Sequence, residues 1–144
     1  MRTVGLIVFT VGVLGIVVYL LLHRFVFAPP VDPYVEDPVT GKRQQIQVLI
    51  LNGCGIPGVA RRALRYLRLR NFDVVDIGNY DRFDVDRSFV IDCLGVPEAA
   101  RKVAVALGIP DSAVVQRIDS SLFVHCAVVL GKDVEQLRFY RDAK

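Results

Sequence analysis

The residues best suited to chemistry lie in one stretch, Asn52-Gly53-Cys54-Gly55-Ile56-Pro57-Gly58, and in the arginines that follow it. Gly53, Gly55 and Gly58 have the G-x-G-x-x-G spacing of a dinucleotide-binding turn, where glycines let the backbone approach a pyrophosphate at a helix N-terminus. Asp76 falls near the place of a ribose-binding acid in that motif. Five arginines come next, Arg61, Arg62, Arg65, Arg68 and Arg70, with no acid among them. A guanidinium donates two parallel hydrogen bonds to phosphate or carboxylate, so such a face suits an anionic polymer, lipid headgroups or an acidic protein. The competing expectation is internal compensation, because Asp73, Asp76, Asp81, Asp84, Asp86 and Asp92 follow at once.

Other groups carry less. Asn79, Asp81, Asp84 and Asp86 offer oxygens for calcium but match no EF-hand spacing, and a solvated acidic loop is expected. Cys54, Cys93 and Cys126 contain no C-x-x-C pair, so buried, inert thiols are the default. A Cys54–Cys93 disulfide, or a metal site completed by His125, would need strands that bring these residues to one end of a sheet. His23 reads as a membrane-interface residue. No Ser-His-Asp arrangement, H-E-x-x-H or Walker loop is present, so no catalytic residue, cofactor or metal is assigned and the chain reads as a non-enzyme. A net charge of +3 gives no reason to expect nucleic acid as a partner.

The elements that must position these residues follow from patterning. Residues 3–22 hold no charge, and twenty residues of helix span roughly 30 Å, enough for a hydrocarbon core. Residues 1–24 therefore read as a transmembrane anchor, too long for the apolar core of a cleaved signal peptide. Pro29, Pro30, Pro33 and Pro38 make 25–44 a stiff, solvated linker, able to hold a domain about 50 Å away if extended. The domain is expected over 45–144. The β-branched run at 46–51 is a central strand, and Ala60, Ala63, Leu64 and Leu67 give the next segment a helical apolar stripe. Asn71 closes that helix, and strands follow at 72–77 and 88–92. Val114-Val115 reads as a short extra strand, 124–130 as the last core strand and 134–141 as a short terminal helix.

An internal repeat ties these pieces together. Residues 91–101 align with 51–61, so that Gly55, Pro57, Ala60 and Arg61 answer Gly95, Pro97, Ala100 and Arg101. Each copy is a strand end, a turn, a proline in the first helical turn and a helix. The second copy lacks Gly53 and Gly58, so chain geometry accounts for the shared turn without a nucleotide. The order β-α-β-β-α-β predicts a small α+β two-layer sandwich. In the split arrangement the first and third strands are parallel neighbours, with the fourth antiparallel beside the first. Cys54 and Cys93 would then share one end.

From Leu49 to Ala60 the chain resembles the LytR C-terminal domain family, whose first strand ends in Leu-Asn-Gly-x-Gly-x-x-Gly-x-Ala. The likeness continues through Phe72-Asp73-Val74-Val75 and Gly78-Asn79 to Leu130-Gly131-Lys132-Asp133, and covers roughly 45–133. Cys54 stands where the family often has Thr. The resemblance implies an extracytoplasmic domain behind a membrane anchor, in an envelope context, without the LytR–CpsA–Psr catalytic domain. The expected protein is a single-pass protein of the cytoplasmic membrane, with a periplasmic or extracellular module that binds or scaffolds peptidoglycan, an anionic glycopolymer or an envelope protein. Its candidate surface is Asn52, Gly53, Gly55, Gly58, Arg61, Arg62, Arg65 and Arg68. An assembly subunit of a membrane protein complex is the alternative, and a nucleotide-binding enzyme stands behind both.

Overall fold

Apolar runs that alternate with amphipathic helices dictate a sheet covered on one face. The computed structural model describes residues 2–26 and 31–142, with side chains of the first helix described at Gly5 and over 9–20. Two units result, one up to Pro30 and one from Val31 onward. The first is a single helix, α1 (Arg2–Val26), whose side chains from Phe9 to Leu20 are exposed. Among the described residues no helix is long and apolar enough to cross a membrane. The spanning anchor expected over 1–24 is therefore taken up below as a proposal.

The second unit begins earlier than its proline content suggests. β1 (Tyr34–Glu36) and β2 (Arg43–Gln45) form an antiparallel hairpin. The Asp37 carboxylate closes the turn by accepting from the amides of Val39 and Thr40, both at 2.8 Å, and these bonds hold its pKa below the usual range. Val35 is buried in the main core, and Lys102 Nζ donates to the Tyr34 carbonyl at 2.7 Å. The linker expected over 25–44 is thus corrected: from Val31 the chain belongs to the folded unit.

β3 (Gln47–Asn52) leads into α2 (Val59–Arg68) and then β4 (Asp73–Asn79). Asn71, at φ 63°, makes the reversal after α2 in the left-handed conformation that Asn tolerates. β5 (Phe89–Asp92), α3 (Pro97–Leu107) and β6 (Val114–Gln116) form a second unit of the same kind. β7 (Cys126–Leu130) and the short α4 (Arg138–Arg141) complete the chain. The expected α+β two-layer architecture is present: buried faces of α2 and α3 share one cluster with Val48, Ile50, Val90, Val128 and Leu130.

Strand order differs from the expected one. It runs β4-β3-β7-β5-β6, with β3 parallel to both β4 and β7, and β5 antiparallel to β7. β3 and β5 are therefore not neighbours; β7 lies between them. The reason is burial. Every residue of β7 is buried, so its apolar run needs cover on both faces and takes the centre. β4 carries Asp73 and Asp76 and is an edge strand, and each β-α-β unit closes on its own parallel pair.

Candidate functional site

The glycine turn is built from Asn52 outward. Its Oδ1 accepts from the amides of Cys54 (3.1 Å) and Gly55 (3.0 Å), and its Nδ2 donates to the Ile56 carbonyl at 3.0 Å. All its strong groups are thereby used to hold the loop. Gly53 is required by packing, since a Cβ there would lie 2.9 Å from Val85 Cγ2 and 3.0 Å from the Leu130 carbonyl oxygen. Gly55 and Gly58 have φ of 73° and 75°, where side chains are strained. Gly58 is the N-cap of α2 and supplies no side-chain acceptor, and the Val59 amide donates to the Ile56 carbonyl at 3.4 Å.

At this end of the sheet Asn52, Gly58, Ala60, Arg61, Ile77, Gly78 and Asn79 line a shallow depression of about 360 Å³. Among the described residues Arg61 is its only charged lining residue, so it favours negative charge, as does the N-terminal end of α2. Asp76 does not line it; its carboxylate accepts from the next amide in its own strand, at 2.8 Å. The acid a ribose would need is therefore elsewhere.

The arginines separate into two groups. Arg68 Nη2 donates to the Val74 carbonyl at 2.8 Å, Arg62 lies 4.2 Å over the Tyr140 ring, and Arg70 lies 3.4 Å over Tyr66 and 3.6 Å from Asp142. These three brace α2 against its surroundings. Arg61 and Arg65 are exposed and make no ion pair or side-chain hydrogen bond among the described residues. Among the described residues the acids that follow do not pair with these arginines: Asp84 pairs with Arg82 and Asp86 with Lys132. Of the eight expected surface residues, the depression brings together Asn52, Gly58 and Arg61; Gly53 is buried, and Arg62 and Arg68 serve the fold.

The thiols and His125 do not form a centre. All three cysteines are free, and antiparallel β3 and β5 place Cys54 and Cys93 at opposite ends of the sheet. Burial pushes the Cys93 and Cys126 thiols up, away from the reactive thiolate. His125 is 3% exposed; its Nδ1 accepts from the Gln47 amide at 3.1 Å, and its buried Nε2 has no partner among the described residues. Burial lowers its pKa, which keeps the ring neutral. Among the described residues no three His, Cys, Asp or Glu are gathered as a metal site.

One larger feature went unread. A depression of about 750 Å³ is lined in part by Asp86, Arg87, Ser88, Lys132 and Asp133. Its two acids and two bases balance, and several are already engaged. Lys132 reaches Asp86 at 3.0 Å, while Asp133 Oδ1 accepts from the Ser88 amide and hydroxyl at 2.8 and 2.6 Å. Ser88 Oγ in turn accepts from the Gly131 amide at 2.9 Å. Leu130-Gly131-Lys132-Asp133 is thus a structural clasp onto the start of β5. The signal was the Gly-x-Asp spacing itself.

Comparison with known proteins fits this geometry. The family model described as LytR cell envelope-related transcriptional attenuator matches residues 45–133, which take in the glycine turn, the clasp and every strand of the five-stranded sheet. No curated protein and no solved structure matches the chain. With more than half its length under that model, this chain belongs to the LytR C-terminal domain family.

Proposed function

We propose that the protein is a membrane-anchored, extracytoplasmic binding module that engages an anionic envelope polymer, a wall glycopolymer or peptidoglycan, through the N-terminal end of α2. The observation that carries this is the pairing pattern of the arginines. Among the described residues Arg61 and Arg65 stand exposed and unpaired on α2, and Arg61 lines a depression to which no described acid contributes. Guanidinium groups and the N-terminal end of a helix both favour a negatively charged ligand. The family is an accessory, non-catalytic one, which supports binding rather than turnover.

Anchoring is supported by the uncharged run at 3–22 and by its helical backbone within α1, with Phe9, Leu14, Tyr19 and Leu20 all more than half exposed. Apolar side chains of that number have a natural place in lipid. Protease added to intact cells tests the location: digestion of the domain places it outside the cytoplasmic membrane, and full protection contradicts that. The polymer reading is tested by co-sedimentation of the unit from Val31 onward with isolated sacculi at low salt. Binding that added salt weakens supports it, and no binding at low salt ends it.

A further inference from the structure

We propose that the end of the sheet opposite the glycine turn is a lipid-docking surface, with Ile118, Leu122 and Phe123 seated on the bilayer that holds α1. The inference rests on the anchored reading above.

The first observation is the surface itself. Phe123 is 82% exposed, Ile118 67% and Leu122 41%, and Leu94 and Val115 beside them are exposed as well. Ile118 Cδ1 comes within 3.5 Å of where a Cβ on Gly95 would sit, so the patch joins the β5–α3 turn to the segment after β6. Phe123 also has φ 48°, a left-handed conformation that a bulky side chain rarely adopts. A large ring held in an unfavourable backbone state and left in water is anomalous for a chain folding on its own. Asp119, the acid of this segment, is exposed and accepts from the amide and hydroxyl of Ser121, and Arg117 is exposed as well. Apolar side chains next to an exposed arginine suit the headgroup region of a membrane.

The second observation names the occupant. A row of hydrogen bonds crosses this end of the sheet. Ile46 N donates to the Pro33 carbonyl, His125 N to that of Gln47, Cys93 N to that of His125, and Asp119 N to that of Cys93, at 2.9 to 3.1 Å. The point where the chain enters the domain, Val31 to Pro33, therefore shares its end of the sheet with the apolar segment. From Gln47 to Asp119 is three strand spacings, about 15 Å. Only four residues, 27–30, lie between Val26 and Val31, and full extension gives them a reach of at most about 18 Å. Connectivity thus ties the entry to this end of the sheet within that reach of Val26, and the glycine turn lies at the far ends of β3 and β7.

The sequence contains no tryptophan, so one introduced ring reports alone. The full chain carrying F123W, and separately I118W, is reconstituted into vesicles of phosphatidylcholine and phosphatidylglycerol with brominated acyl chains. F83W is the control, because Phe83 is exposed but packs on Gly55 at the opposite end. Emission from F123W and I118W should fall about twofold relative to unbrominated vesicles, with F83W unchanged. Protein that floats with the vesicles while F123W and I118W are quenched no more than F83W overturns the proposal and leaves anchoring intact. Protein that does not float removes the anchored reading, and this one with it. A blue shift without bromine quenching assigns the patch to a second copy or a protein partner and overturns the lipid assignment.

Discussion

Asn52 and Asp92 hold equivalent places in two copies of one turn. Asn52 Oδ1 gathers the amides of Cys54 and Gly55, and Asp92 Oδ1 gathers those of Leu94, Gly95 and Val96. Gly55 and Gly95 follow with φ of 73° and 76°. The internal repeat is therefore one mechanical device used twice, a side-chain oxygen that ends a strand and sets the entry angle of a helix. Asp92 is 1% exposed and its acceptor serves one amide more. D92A should cost about 2–4 kcal/mol and N52A about 1–2, because the turn amides lose their acceptor and Asp92 itself is the more buried of the two. Urea midpoints check this, and an equal loss in the two variants would contradict the difference in burial.

Glycines in this fold should divide by what surrounds them. A Cβ on Gly131 would lie 2.6 Å from the backbone carbon of Arg87, whereas one on Gly58 meets nothing within 4 Å. G131A should destabilise by about 3 kcal/mol or more through overpacking, and G58A by about 1 kcal/mol through backbone strain alone. Thermal unfolding of both should show that order. The reverse order would mean that the clasp between Gly131 and Ser88 yields easily.

The hairpin before β3 is part of the fold, so a fragment starting at residue 45 should be less stable than one starting at Val31. Val35 is buried against the main cluster, and loss of its side chain in V35A is expected to cost about 1–3 kcal/mol. Equal stability of the two fragments would show the hairpin to be an ornament.

His125 makes stability depend on pH. Burial depresses its pKa in the folded state below the ordinary 6.5, so the unfolded chain binds the proton more tightly. Nothing is lost above the unfolded pKa, where both states are neutral. As pH falls below about 6.5, unfolding takes up a proton and stability declines, by up to about 1.4 kcal/mol per pH unit. H125N keeps an acceptor for the Gln47 amide and should flatten that slope between about pH 6.5 and 5. An unchanged slope would assign the decline to other groups.

Much of this was legible locally. The glycine turn, the helices that follow both turns, the reversal at Asn71 and the strand at Val114 are all set by neighbours in sequence. Strand order was not, because the centre of the sheet is decided by which run needs burial on both faces, and paired residues of β7 and β3 lie 78 apart in sequence. The hairpin was obscured by Pro33, Pro38 and Asp37, with Val35 as its only buried apolar signal. Along α2 the arginines look alike. What separates Arg62 and Arg68 from Arg61 and Arg65 is a ring at Tyr140 and a carbonyl at Val74, which spacing alone does not reveal.

That separation gives the most direct test of the proposed function. Binding of the unit from Val31 onward to isolated sacculi is measured against salt for the parent, for R61E/R65E and for R62Q. The account predicts that R61E/R65E loses at least about tenfold in affinity with its unfolding midpoint nearly unchanged, and that the remaining binding is less sensitive to salt. R62Q should lower the midpoint and leave binding of the folded fraction intact. Unaltered binding by folded R61E/R65E would contradict the assignment of this end of α2 to an anionic envelope polymer.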